Sequence, residues 1–180
     1  MSRKFNKVFL VGYMGSGKSF LGEKIAKKLD FRFIDTDTYI EKMSEKSISS
    51  IFSEHGEAYF RKLETQAIHR ISEMNNLVVA TGGGLPCASR NMDILLKNGI
   101  VIFLDTNVKL LMLRLLSEKS KRPMIAKFDN QYDLNIFIKA HLSKRLPIYE
   151  KAHLSISISD DDLDFLNPLI QYLKIILSKS

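Results

Sequence analysis

The chain has 180 residues, 45% hydrophobic and 26% charged, with a net charge of +7 and one cysteine. That length and apolar fraction suit a single domain over 1–180 with a real core, and exclude a disordered chain. No apolar run approaches the ~18 residues of a membrane span, Cys87 has no partner for an internal disulfide, and His55, His69, His141 and His153 lie too far apart for a zinc pair, so a reducing cytoplasm without a structural metal is expected.

Short apolar runs alternate with helical patterns. Residues 8–11 read as a buried strand, followed by a helix over 18–29 with Leu21, Ile25 and Leu29 on one face. Phe33-Ile34 is a second strand, and 39–43, 48–54 and 57–74 read as helices. Residues 77–80 form a third strand, 92–97 a helix, 100–104 a fourth strand and 108–116 a helix. The polar, basic stretch 117–133 reads as a long mobile loop, before a helix over 134–145. Residues 154–158 alternate with serine and suit a fifth, edge strand; Asn167 then caps a last helix with Pro168 at its first position. Strands alternating with helices predict a parallel sheet covered on both faces.

Gly12-Tyr13-Met14-Gly15-Ser16-Gly17-Lys18-Ser19 matches G-x-x-x-x-G-K-[ST] between a strand and a helix, the setting of a phosphate-binding loop. Its glycines let backbone N–H groups point inward at phosphate oxygens, and the helix N-terminus adds partial positive charge. Lys18 can reach the β- and γ-phosphates, and Ser19 can ligate Mg²⁺. There is no N-K-x-D guanine-reading segment, and the chain is too short for a motor ATPase. A small-molecule or nucleotide kinase fits, with 117–133 as a lid bearing Lys119, Lys121 and Arg122.

Charge is uneven: 1–28 carries seven Lys/Arg against one acid, and 109–151 ten against four. Anionic ligands are expected, and no basic stripe with interleaved aromatics points to nucleic acid. Asp35-Thr36-Asp37 ends the second strand, where one carboxylate can orient a metal and the other accept a hydroxyl proton, or where one can simply cap the next helix. Arg61 shares a helix face with Glu57 and Glu64, either a surface ion-pair ladder or a guanidinium aimed at a ligand carboxylate. Thr81-Gly82-Gly83-Gly84 ends the third strand and allows close backbone approach to a ligand.

Taken in order, the phosphate loop, D-T-D, F-R-x-x-E from Phe60, A-T-G-G-G, Arg122-Pro123 and R-x-x-x-Y from Arg145 to Tyr149 resemble the shikimate kinase family from Lys7 to about Ala152. The resemblance implies a P-loop kinase fold of class α/β, with a five-stranded parallel sheet in the order 2-3-1-4-5, flanking helices and a mobile lid. It implies transfer of the ATP γ-phosphoryl to the 3-hydroxyl of shikimate by a cytoplasmic monomer, with acceptor-binding helices over 36–64 and neither nucleic acid nor membrane as a partner. It places ATP on Gly12, Gly15, Ser16, Gly17, Lys18, Ser19 and Phe20, with Lys18 and Arg122 on the transferring phosphoryl. Asp37 would be the base; Arg61 and Arg145 would hold the shikimate carboxylate, Glu64 would position Arg61, and Gly82, Gly83, Gly84, Phe52 and Phe60 would complete the pocket. Ser19 and Asp35 would hold the Mg²⁺ cofactor, although Asp105, ending the fourth strand, is an alternative carboxylate. Arg114 is a candidate for stacking on adenine, and Cys87 is expected only to pack. The rival readings are a gluconate or nucleoside monophosphate kinase, and a nucleotide-binding regulatory protein without turnover.

Overall fold

A computed structural model gives the fold and describes residues 5–117, 125, 128, 130–159 and 163–178. Five strands, Lys7–Val11 (β1), Arg32–Asp35 (β2), Leu77–Ala80 (β3), Ile100–Thr106 (β4) and Leu154–Ile158 (β5), pair in parallel in the order β2-β3-β1-β4-β5. The helices Lys18–Leu29 (α1), Thr36–Ser44 (α2), Ile48–Ser72 (α3), Asn91–Asn98 (α4), Val108–Ser117 (α5), Gln131–Tyr149 (α6) and Leu166–Ser178 (α7) flank them. The sheet order is the one the sequence resemblance implies.

β1 is buried at every position because it is central and covered on both faces, so it reads as a continuous apolar run. Its residues feed two cores alternately. Val8 and Leu10 meet Leu21 and Ile25 of α1 and Ile170 and Leu173 of α7. Phe9 meets Ile68 and Ile71 of α3, with Tyr149 of α6 in the same cluster. A third cluster seats Tyr13 against Leu111 and Leu115 of α5 and Leu134 and Ile138 of α6; a fourth packs Ile40 of α2 on Ile51, Phe60 and Leu63 of α3. With all strands parallel and β1 beside β3 beside β2, the chain leaves β1, β3 and β2 at one sheet edge, as neighbours.

Several boundaries differ from expectation. The helices expected at 48–54 and 57–74 are one run broken at Gly56, whose φ of 75° and ψ of 178° lie outside the helical region and suit glycine. α2 begins at Thr36, because Asp35 caps it by accepting from the Asp37 N–H at 2.9 Å. α6 begins at Gln131, within the expected loop, because Asn130 accepts from the Asp133 N–H at 2.8 Å. It also continues through Pro147, which removes one intrahelical bond near the helix end. α7 begins at Leu166, so Asn167 is not its cap; Pro168 is tolerated in the first turn, where N–H groups lack helical partners anyway. Of the expected lid, 118–124, 126, 127 and 129 lie outside the described residues, and Ile125 is buried in the third cluster.

The turn from α4 into β4 is tight. A Cβ on Gly99 would stand 2.7 Å from the Lys7 carbonyl oxygen and 2.7 Å from the Phe9 ring. Gly99→Ala should therefore destabilise the fold by about 1–3 kcal/mol through overpacking. Urea unfolding checks this; a loss below about 0.5 kcal/mol, the range of a neutral surface change, would contradict the packing described.

Candidate active site

The phosphate loop follows from its glycines. Gly12, Gly15 and Gly17 have φ of 146°, 80° and 90°, which L side chains rarely adopt, and the turn they make delivers the chain into α1. Lys18 is 8% exposed, and its ammonium donates to the carbonyls of Gly12 at 3.0 Å and Tyr13 at 2.7 Å and to Ser16 Oγ at 3.3 Å. A cavity of about 570 Å³ opens above this loop, lined by residues 14–21, Asp35, Asp37 and residues 81–83. It extends to Arg114, Ser117, Ile158, Leu163 and Phe165, and Arg114 Nη1 donates to the Gly15 carbonyl at 3.1 Å.

Asp35, at the end of β2, and Asp37, in the first turn of α2, take different places. Asp35 Oδ1 caps α2, and Asp35 Oδ2 accepts from Ser19 Oγ at 2.6 Å. The cap is therefore real, and the same carboxylate is also joined to the phosphate loop. This hydroxyl and carboxylate are hard oxygen donors of the kind Mg²⁺ takes together with nucleotide phosphates. Among the described residues no group of three or more His, Cys, Asp or Glu forms a metal site. Asp105 is exposed and does not line the cavity.

Asp37 lines the cavity above Gly82, where a Cβ would stand 2.5 Å from Asp37 Oδ1 and 3.4 Å from Glu64 Oε1. The buried Thr36 hydroxyl fixes the glycine turn by accepting from the Gly82 N–H at 2.8 Å. A Cβ on Gly84 would overlap the Arg61 guanidinium, and one on Gly83 would stand 3.3 Å from the Met14 backbone nitrogen, with Arg145 Nη1 at 3.6 Å.

Arg61 is held from two sides. Its Nη1 donates to Glu64 Oε2 at 2.7 Å, while Nη2 and Nε donate to Glu57 Oε1 at 2.7 Å and 3.2 Å. This is more than a surface ladder, because the Glu64 side chain is 1% exposed. Burial pushes the Glu64 carboxyl up to about 7, against the pull of Arg61 and with a smaller push from Asp37. Arg61 stays charged: burial opposes its charge, but its bonds to Glu64 and Glu57 hold it above its ordinary value. Arg61 holds the Glu57 carboxyl below its ordinary value, with a smaller pull from Arg145, and Arg145 also pulls weakly against the rise of Glu64, so the two arginines act in one field. Phe60 is buried and Phe52 is 39% exposed, their rings 4.8 Å apart.

Gly12, Gly15, Ser16, Gly17, Lys18, Ser19, Phe20, Asp35, Asp37, Arg61, Glu64, the glycine turn and Arg145 thus lie along one edge of the sheet. Arg122 lies outside the described residues. Cys87 is half-buried in the second core, with its thiol pushed up by burial. The sequence reading gave no role to Thr36, Tyr13, His141 or Tyr149, nor to Ile158, Leu163 and Phe165 at the far end of the cavity. The R-x-x-x-Y spacing was the available sign for Tyr149, whose hydroxyl donates to the Gly83 carbonyl at 2.6 Å. Residues 158–165 carry no periodic signal.

A phosphate loop at the end of a central parallel strand, a carboxylate beside it and a guanidinium pair across a glycine turn define a P-loop phosphotransferase for a small anionic acceptor. Known proteins narrow the class. The family model described as shikimate kinase matches residues 14–174. The shikimate kinase of Bacteroides fragilis is 41% identical over 147 residues, 82% of this chain and 82% of its own. The crystal structure of the Bacteroides thetaiotaomicron shikimate kinase has a TM-score of 0.85 at 36% identity, covering 96% of this chain and 98% of its own. That of the Acinetobacter baumannii shikimate kinase in complex with shikimate has a TM-score of 0.81 at 32% identity, covering 98% and 95%. The chain belongs to the shikimate kinase family.

Glu64 gives the site a pH signature. With its carboxyl raised from 4.5 to about 7 in the fold, the neutral form is favoured there; its contribution to stability is present below about pH 4.5 and lost as pH rises through about 7. Glu64→Gln is neutral throughout, so its melting temperature should gain on that of wild type between about pH 5 and about pH 8. Paired thermal melts read the difference. A gap that is constant or moves the other way would contradict the buried, penalised carboxylate.

Proposed function

We propose that this chain transfers the γ-phosphoryl group of ATP to the 3-hydroxyl of shikimate, giving ADP and shikimate 3-phosphate. One observation carries the reading: Asp37 lines the cavity with the phosphate loop and meets Gly82, in the same glycine turn whose Gly83 and Gly84 lie by Arg145 and Arg61. The acceptor then presents its carboxylate to Arg61 and Arg145 and its hydroxyls to Asp37. The preset Arg61 loses little freedom on binding, since Glu57 and Glu64 already orient it. Gly82, Gly83 and Gly84 admit the ring close to backbone, with Phe52 and Phe60 as the apolar wall.

On the nucleotide side, Gly12, Gly15, Ser16 and Gly17 wrap the phosphates and Lys18 exchanges its carbonyl partners for phosphate oxygens. Phe20 and Arg114, with Ile158, Leu163 and Phe165, bound the part of the cavity left for the adenine. Ser19 and Asp35 would hold Mg²⁺, which supplies charge neutralisation on the transferring phosphoryl. Asp37 orients the 3-hydroxyl and takes its proton as the phosphoryl moves. Arg122 adds charge from the lid. Every group in this reading comes from one chain, so a monomer suffices, and ATP as co-substrate fits the cytoplasm.

The test is ADP release from MgATP with shikimate, gluconate or AMP as acceptor. Release with shikimate alone is expected. Release with gluconate or AMP instead would favour the related kinases, and none with any acceptor would favour a regulatory nucleotide-binding protein.

Asp35 and Asp37 should separate. Asp37→Asn should lower turnover by about 10²–10⁴, the usual cost of losing a general base, with nucleotide binding intact. Asp35→Asn should raise the Mg²⁺ concentration needed, and excess metal should partly restore the rate. Metal rescue of the Asp37 variant instead would reverse the roles, and rescue of Asp105→Asn alone would move the metal carboxylate to β4. Arg61→Lys keeps charge but loses the fork, so shikimate affinity should fall while ATP affinity holds. Equal loss for both ligands would make Arg61 a structural residue.

A further inference from the structure

One stripe of α6, at a spacing of four residues, touches the segment before the helix, the phosphate loop and the glycine turn. Phe137 packs on Phe128, from the segment before the helix, with ring centroids 4.8 Å apart. His141 meets the phosphate loop: the Tyr13 hydroxyl lies 2.9 Å from His141 Nδ1, and the rings pack edge to face at 5.6 Å. Arg145 lies with its guanidinium carbon 5.9 Å from the Tyr13 ring centroid. Tyr149 reaches the glycine turn at the Gly83 carbonyl.

The Tyr13 contact joins the two halves of the site. Tyr13 is 1% exposed, and a phenylalanine would fill the same space, so its hydroxyl is buried there with a partner. Its own carbonyl accepts from the Lys18 ammonium at 2.7 Å and from the Ser16 N–H at 3.2 Å. Burial pushes Tyr13 up to about 12, against the Arg145 charge, and burial with Arg145 and Lys144 pushes His141 down to about 4. At neutral pH the pair is therefore a neutral phenol and a neutral imidazole, and the tautomer of the ring decides which of them donates. Phosphates that draw Lys18 away take a donor from the Tyr13 carbonyl. Any shift of Tyr13 then reaches His141, one helical turn from Arg145.

We propose that Tyr13 and His141 are positioning residues: their hydrogen bond ties the phosphate loop to the helix that carries Arg145, so that nucleotide in the loop and the acceptor carboxylate on Arg145 strengthen each other's binding. The inference rests on the shikimate kinase reading and deepens it, and the coupling is reciprocal by linkage.

Calorimetric titration of shikimate, alone and with saturating MgADP, reads the coupling as a ratio of two dissociation constants. Wild type should bind shikimate more tightly with MgADP. Tyr13→Phe should reduce that ratio by about two- to tenfold, the range one neutral hydrogen bond supplies. His141→Leu should match it, and the double variant should lose nothing more. His141→Asn, with an amide oxygen to stand near the place of Nδ1, should keep most of the coupling. A bond that only stabilised the fold would lower the melting temperature and leave the ratio in place. Retention of the wild-type ratio in Tyr13→Phe, or in His141→Leu should the tyrosine variant not fold, overturns the inference. So does equal loss in His141→Asn and His141→Leu. Shikimate binding without coupling in wild type overturns the inference alone; no shikimate binding at all overturns the acceptor reading with it.

Discussion

A buried ammonium sets the terms for the rest of the molecule. Lys18 is 8% exposed and held by two backbone carbonyls and a serine hydroxyl. Holding a cation with neutral oxygens is costly unless several converge at short distance. Backbone can converge in that way only in a tight left-handed turn, hence the positive φ at Gly12, Gly15 and Gly17. The turn in turn needs a rigid base, which the wholly buried β1 supplies between β3 and β4. Carbonyls attract an ammonium less than phosphates do, so the same geometry that keeps the lysine in place also makes it ready to exchange partners.

The sheet order then determines what stands next to that lysine. With β3 beside β1 and β2 beside β3, the glycine turn and the Asp35–Asp37 segment fall against the phosphate loop without a long connection. The Arg61 side of the site is built on the opposite electrostatic principle. There a guanidinium is pinned by two carboxylates, one almost fully buried, and the carboxylate bears the penalty that burial imposes. Lys18 and Arg61 are thus both held before ligand arrives, Lys18 with two backbone carbonyls and a serine hydroxyl among its partners and Arg61 by two carboxylates. The catalytic effect asked of this arrangement is positioning and charge stabilisation, which is what phosphoryl transfer requires.

The sequence was most legible where local chemistry and global fold agree. Four strands were readable as apolar runs, the fifth as alternation with serine, and the phosphate loop as a spaced motif between a strand and a helix. The sheet order and the acceptor came from the resemblance, since no periodicity states which strands are neighbours. Misreadings fell where one side chain decides a boundary. Asn130 starts α6 earlier than its apolar pattern does, and Pro147 is tolerated in its last turns. Asp35 could be read either as a cap or as a metal-side carboxylate; the structure has it cap α2 and bond Ser19 with separate oxygens. The Tyr13–His141 bond spans 128 positions; Tyr13 fills an unspecified position of the phosphate-loop motif, and His141 belongs to no motif. Only the fold brings them together.

The account depends on Asp37 facing the acceptor hydroxyl while the arginines hold the opposite end of the ring. A crystal structure of the chain with shikimate and a non-hydrolysable ATP analogue measures this directly. The account predicts the shikimate carboxylate on Arg61 and Arg145, with its 3-hydroxyl within hydrogen-bond reach of Asp37 and facing the γ-phosphoryl. A shikimate bound with its carboxylate away from both arginines, or with its 3-hydroxyl away from Asp37, would contradict it.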